Sequence, residues 1–224
     1  MTGPRPQAVL FDLDGTLIDT APEFIAIAAR LREEASLPAI DEALIWRSVS
    51  NGAVGMVQAA LQVDSSHPHL EHWRERFLTH YEAGLGALSE PYPGLVGLVS
   101  QLQKNQIKWG VVTNKLARFA NPLMNKMPFR PAAGVIVTPD DVGQPKPHPE
   151  ALLLACKELQ CSPAKTIFVG DHLRDIEAGR AAGCHTIAAA YGYLAEGECA
   201  STWGADQLVN SSSELAQSIE ALLI

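Results

Sequence analysis

The chain has 224 residues, 47% of them hydrophobic and 19% charged, which suits a folded protein with its own apolar core and excludes a disordered chain. A net charge of −8 repels polyanions, so neither nucleic acid nor an anionic membrane is an expected partner, and no apolar run approaches the roughly 20 residues of a membrane span. The four cysteines, Cys156, Cys161, Cys184 and Cys199, lack the spacing of a zinc or redox motif and read as reduced thiols, and the opening MTGPRPQ lacks a secretory apolar stretch, so a cytoplasmic protein is expected.

The first predicted element is a strand, QAVLF (7–11), that runs into DLDGT (12–16). Residues i and i+2 of a strand share a face, so Asp12 and Asp14 would repel each other in a poorly solvated site unless a cation or a shared proton intervened. From Thr20 to Glu90 the pattern changes to amphipathic helices without a convincing strand. Thr20, with Pro22 and Glu23 behind it, reads as a capped helix start, and EPYPG (90–94) reads as the exit turn.

Beyond the turn, apolar strands return: IKWGVV (107–112), GVIV (134–137), TIFVG (166–170) and HTIAAA (185–190). Helical segments lie between and after them, over 95–104, 149–159, 175–182 and 213–224. The alternation predicts an α/β fold with a doubly wound parallel sheet and an inserted all-helical lid.

In an open α/β sheet ligands bind beyond the carboxyl ends of the strands, and here every such end carries a polar group. The first has Asp12 and Asp14, the second Thr113 and Asn114, the third is followed by Lys146, and the fourth has Asp171 with Asp175 one turn on. Asp12, Asp14, Asp171 and Asp175 together offer an oxygen-rich pocket suited to Mg2+, which would resolve the repulsion within DLD. Asp12, nearest the strand, is then the candidate nucleophile toward phosphorus, and Asp14 the candidate general acid and base. Lys146 as a charge, with the Thr113 hydroxyl, the Asn114 amide and the backbone N–H groups after Asp12 as donors, would stabilise a transferring phosphoryl group, beside which Thr16 also falls.

DLDGT, VVTNK, Lys146 in KPHP and GDHLRD, in that order, resemble the four motifs of the haloacid-dehalogenase-like phosphohydrolase superfamily across most of residues 7–190. The resemblance implies a Rossmann-like core from 1–19 and 91–224, a helical cap over 20–90, and a Mg2+-dependent phosphomonoesterase acting through an aspartyl-phosphate on Asp12. It also implies Mg2+ held by the Asp12 side chain, the Asp14 backbone carbonyl and Asp171, with Asp175 orienting a metal-bound water or Lys146. Within the superfamily the chain is similar to the phosphoglycolate phosphatase group. WGVVTNKLARFANP, YGY and WGAD resemble bacterial N-acetylmuramic acid 6-phosphate phosphatases of cell-wall sugar recycling.

A small phosphomonoester is therefore the expected partner, met by a monomer or weak homodimer. Arg118 or Arg47 is expected to pair a substrate carboxylate, Ser48, Ser50, Asn51 and Gly52 to face the leaving group, and Tyr191 and Tyr193 to pack against a sugar. A sugar phosphomutase and a non-catalytic phosphometabolite-binding scaffold are the alternatives. A phosphonate hydrolase is disfavoured because the first lysine of the chain, Lys104, falls outside the cap. His67, His69 and His72 read as a solvated loop and helix entrance rather than a metal site.

Overall fold

A computed structural model describes residues 5–223 of the chain; the first four residues of the expected core and Ile224, the expected end of the last helix, lie outside this range. In chain order the elements are β1 (Ala8–Phe11), β2 (Ile18–Asp19), α1 (Ala21–Glu34), α2 (Glu42–Trp46), α3 (Gly52–Leu61), α4 (Leu70–Gly84), β3 (Glu90–Pro91), α5 (Leu95–Lys104) and β4 (Lys108–Val112). There follow α6 (Ala117–Lys126), β5 (Ile136–Val137), α7 (Glu150–Glu158), β6 (Thr166–Gly170), α8 (Leu173–Ala182), β7 (His185–Ala189), β8 (Gln207–Val209) and α9 (Ser212–Glu220).

Six of the strands form one parallel sheet in the order β5-β4-β1-β6-β7-β8. β1 is its centre and all four of its side chains are fully buried, with Val9 and Phe11 facing one apolar cluster and Ala8 and Leu10 the other. The first cluster takes in α5 and α9 through Leu98 and Leu215, the second α7 and α8 through Leu152 and Ala178, so helices cover both faces. Burying Val, Leu and Phe side chains contributes about 1.5–3 kcal/mol each, which is why these strands read as unbroken apolar runs. The order of strands reverses at β1, and the crevice beyond its carboxyl end is the expected ligand position.

The helical block leaves and rejoins this sheet through a feature that the sequence did not signal. β2 and β3 pair antiparallel, Ile18 opposite Pro91 and Asp19 opposite Glu90, so the chain enters and exits the block at one place. Each strand has only two residues, too few for a period-2 pattern to register. β8 escaped for the same reason, and β5 is shorter than expected. Within the block, α1, α3 and α4 pack on one another, and Phe24 of α1 lies against Phe77 and Tyr81 of α4 at ring-centroid separations of 5.9 and 4.8 Å. No helix among the described residues is long and apolar enough to cross a membrane.

Candidate active site

At the centre of the sheet β4 and β6 each run one residue past the end of β1, and each of these three strands is followed at once by a polar residue. Phe11 pairs with Val111 and Val169, so Asp12, Thr113 and Asp171, each the first residue beyond its strand, meet at one edge. Lys146 reaches this edge from the loop after β5, and Asp175 from the first turn of α8. All five side chains belong to residues no more than 5% exposed.

Lys146 organises the cluster. Its ammonium lies 2.9 Å from Asp12 Oδ1 and 2.7 Å from Asp175 Oδ1, and donates to the Val112 carbonyl at 2.8 Å. Burial alone would lower its pKa, but the Asp12 and Asp175 charges hold it above the ordinary lysine value. The ammonium is thus held by one carbonyl and two carboxylate oxygens, all within 2.9 Å, and supplies its charge. Asp12 Oδ1 also accepts from the Leu13 N–H at 2.7 Å, while Oδ2 has no hydrogen bond among the described residues.

Asp171 has no ammonium partner among the described residues. Its oxygens accept from the Thr16 hydroxyl at 2.8 Å and the Tyr193 N–H at 2.9 Å, and burial together with the Asp12 and Asp175 charges pushes its pKa up to about 8. Burial likewise carries Asp175 up to about 6 despite Lys146. Carboxylate oxygens of Asp12, Asp171 and Asp175 lie within 4.8 Å of one another. Three buried acids around one ammonium are short of positive charge, and an all-oxygen donor set of this kind fits a hard divalent cation such as Mg2+. Gly15 permits the approach: at φ +82° it brings the backbone so near Asp171 that a Cβ would stand 2.1 Å from Oδ2.

Asp14 stands apart from this cluster, toward the helical block. It accepts from Lys115 Nζ at 2.8 and 3.0 Å and from the Thr20 hydroxyl at 2.7 Å. The expected side-chain cap by Thr20 is therefore not made: Thr20 occupies the position before α1, but its hydroxyl is turned to Asp14 instead. Lys115 sits beneath two rings of the block, 5.2 Å from the Phe24 centroid and 4.7 Å from that of Tyr81.

A cleft of about 310 Å³ opens between these groups and the block. Asp12, Asp14, Thr113 and Asn114 form its floor, Phe24, Met56, Phe77, Tyr81 and Phe119 its apolar wall, and Ser50, Asn51 and Gly52 its rim, with Lys115 and Arg174 as further cations. The Thr113 hydroxyl accepts from the Lys115 N–H at 3.1 Å and keeps its own proton for a ligand.

Several sequence-based expectations are redirected. The Asn114 side chain lines the cleft, but its amide is occupied in bonding Lys146 O at 2.9 Å and accepting from Lys146 N at 3.2 Å, so it holds the lysine loop in place. Thr16 is fully buried and its hydroxyl donates to Asp171. Neither Arg118 nor Arg47 lines the cleft: Arg118 is exposed and lies over the ring of its neighbour Phe119 at 4.6 Å, and Arg47 pairs with Glu196 at 3.1 Å. A helix advances about 100° per residue, so with Leu116 and Phe119 on the cleft wall Arg118 is carried away from it. The Ser48 hydroxyl, just beyond α2, donates back to the Leu44 carbonyl of that helix. Tyr193 is 1% exposed, donates to Asp19 at 2.7 Å and accepts from the Thr20 and Ala21 N–H groups, and the Tyr191 hydroxyl donates to the Thr16 carbonyl; both rings brace the loop after β1 instead of facing a sugar. Lys115, Arg174 and the aromatic wall were missed, although Lys115 stands within VVTNK and Arg174 within GDHLRD.

A family model described as haloacid dehalogenase-like hydrolase matches residues 9–189. The chain is 44% identical to an N-acetylmuramic acid 6-phosphate phosphatase of Pseudomonas aeruginosa, covering 98% of this chain and 97% of the relative. It is 35% identical to a phosphoglycolate phosphatase of Xanthomonas campestris, covering 94% and 95%. Among solved structures, a predicted phosphoglycolate phosphatase from Haemophilus somnus superposes with a TM-score of 0.82 at 23% identity, over 95% of this chain and 97% of that one, a likeness of fold.

Proposed function

The chain belongs to the haloacid dehalogenase-like hydrolase family and is a phosphatase, and we propose that it hydrolyses N-acetylmuramic acid 6-phosphate through an aspartyl-phosphate on Asp12, with Mg2+ as cofactor. The observation that carries the chemistry is the placement of Asp12 at the head of the central strand, one oxygen fixed by Lys146 and the Leu13 N–H and the other without a partner among the described residues, on the floor of the cleft. The Asp12 carboxylate attacks phosphorus as the ester oxygen departs, and Asp14 gives that oxygen its proton. Asp14 then takes a proton from the water that attacks the acyl phosphate, releasing inorganic phosphate and restoring Asp12. The Lys146 charge, the Thr113 hydroxyl and the backbone N–H groups after Asp12 bear the charge on the phosphoryl oxygens.

Asp12, the Asp14 backbone carbonyl and Asp171 would hold Mg2+, with Asp175 fixing Lys146. When bound, the ion supplies the positive charge that lets a carboxylate approach an anionic ester. Residues 20–90 act as a cap whose Ser50, Asn51 and Gly52 face the leaving group, over a core of 1–19 and 91–224. The reading extends to a monomer or weak homodimer in the cytoplasm, the compartment being supported by four cysteines free of disulfides.

Support for the sugar comes from the Pseudomonas relatives, matched along nearly the whole chain, and from a cleft with both an apolar wall and a polar rim. The relatives at 35% identity favour 2-phosphoglycolate as the second reading. Phosphate release measured on both compounds separates the two. We expect kcat/KM at least about tenfold higher on the muramic phosphate, abolition by EDTA and restoration by Mg2+. A higher value on phosphoglycolate would overturn the sugar reading, and full turnover in EDTA would overturn the metal.

A further inference from the structure

Arg174 occupies a position that only a ligand explains well. It is the second residue of α8, where a positive charge opposes the helix dipole instead of complementing it. It lines the cleft and is part-buried, yet no carboxylate lies within 4.0 Å of its guanidinium among the described residues. Its one side-chain hydrogen bond to protein runs from Nη1 to the Ser50 carbonyl of the helical block, 2.8 Å away, and its Nε is buried without a partner among the described residues. An incompletely paired guanidinium is costly to remove from water unless an anion completes it.

The other cations of the cleft are already engaged, Lys146 with Asp12 and Asp175 and Lys115 with Asp14. The anion available to Arg174 is one that the substrate brings. Its bond to Ser50 sets Arg174 against the rim of the helical block, whose Ser50, Asn51 and Gly52 are proposed to face the leaving group.

We propose that Arg174 reads a carboxylate on the leaving group of the substrate. Bidentate pairing with a planar carboxylate matches the geometry of a guanidinium with free donors. Because Arg174 also holds the rim loop through Ser50, carboxylate recognition and placement of the loop share one side chain. The inference rests on the phosphatase reading with a carboxylate-bearing substrate, and it holds for either candidate, since the lactyl group of the muramic phosphate and the acid of phosphoglycolate both supply that anion.

The test uses two matched pairs: N-acetylmuramic acid 6-phosphate against N-acetylglucosamine 6-phosphate, and 2-phosphoglycolate against 2-hydroxyethyl phosphate. In the pair that the wild type hydrolyses better, kcat/KM should favour the acid member, and Arg174→Gln should erase about 10- to 100-fold of that preference, mainly through KM. Free N-acetylmuramic acid should lose a similar factor as an inhibitor of Arg174→Gln if the sugar pair is preferred, and glycolate if the other is. Arg174→Lys, which keeps the charge but not the fork, should recover part of the preference. If the wild type does not favour the acid member, or if Arg174→Gln lowers both members equally, Arg174 is a latch or a phosphoryl contact and the proposal fails. A preference for the phosphoglycolate pair would overturn the sugar substrate while leaving the role of Arg174 to be decided by the same ratio.

Discussion

The sheet edge and the helical block build the two sides of one cleft by different physical means. At the edge, strand pairing sets the position of each group: Phe11 is in register with Val111 and Val169, so Asp12 falls within one residue of the level of Thr113 and Asp171, and the buried charges of Asp12 and Asp175 are cross-linked through Lys146. On the opposite side, Phe24, Phe77 and Tyr81 are held by one another's rings, and the ion pair of Glu34 with Arg76 lies toward the block's surface, although Glu23 and Arg32 are buried within it. A displaced backbone would ruin the first side, whereas the second can adjust its rotamers. The edge should therefore tolerate almost no substitution, and the block should respond by degrees.

The severest way to break the comparison is Asp12→Asn. An amide removes the attacking electron pair and one charge from the cluster, and we expect kcat to fall at least about 1,000-fold with melting temperature preserved or raised, because one buried acid fewer competes for Lys146. Activity above a tenth of wild type, measured as phosphate release, would remove Asp12 from the role of nucleophile.

The same contrast explains what was legible in the sequence. A strand end can be seen in a sequence, and a polar residue directly after a buried run has few places to go, so Asp12, Thr113, Asp171, Asp175 and Lys146 were found without coordinates. A helix in a packed block has apolar residues on several sides. Periodicity cannot tell which of Phe24, Met56 or Phe77 faces the cleft and which faces only its neighbours. Arg118 and Arg47 were chosen and Arg174 passed over because the rotation of α6 and the Glu196 partner of Arg47 are tertiary facts. Tyr191 and Tyr193 misled for a related reason: their hydroxyls satisfy the backbone and side chains of residues 16–21, which are distant in sequence.

Lys115 crosses between the two sides and gives an intermediate test. It extends from the loop after β4 to Asp14 and rests under Phe24 and Tyr81, so it couples the proposed acid and base to the aromatic wall. Lys115→Met keeps the length of the stem and its packing but removes the ammonium. Asp14 is then positioned by Thr20 alone, and we expect kcat to fall about 10- to 100-fold with the Mg2+ requirement unchanged. Titration of activity with Mg2+ checks this. A raised metal requirement, or an unchanged kcat, would show that Lys115 does not act through Asp14.

The mildest effect belongs to the outer face of the block, where Glu34 at the end of α1 accepts from Arg76 Nη2 at 2.6 Å and lies 2.8 Å from His80 Nε2 on α4. Hydrogen bonding to Arg76 lowers the Glu34 pKa from 4.5 to about 2, against an opposing desolvation cost and with His80 acting in the same direction as Arg76. A carboxylate whose folded pKa is depressed adds stability above its unfolded value of 4.5 and loses it as the pH falls through about 2. Glu34 is about a quarter exposed, so solvent screens the gain. Glu34→Gln should lower the melting temperature at pH 7 by about 1–3 °C, and the difference from wild type should shrink as the pH drops from 4.5 toward 2. Amide exchange at pH 7 locates the effect, since protection lost by the variant should be confined to α1 and α4 and absent from β1 and β6. An equal loss of protection in the strands would mean that the block and the sheet open as one unit, and the contrast between a fixed edge and an adjustable wall would then have no basis in stability.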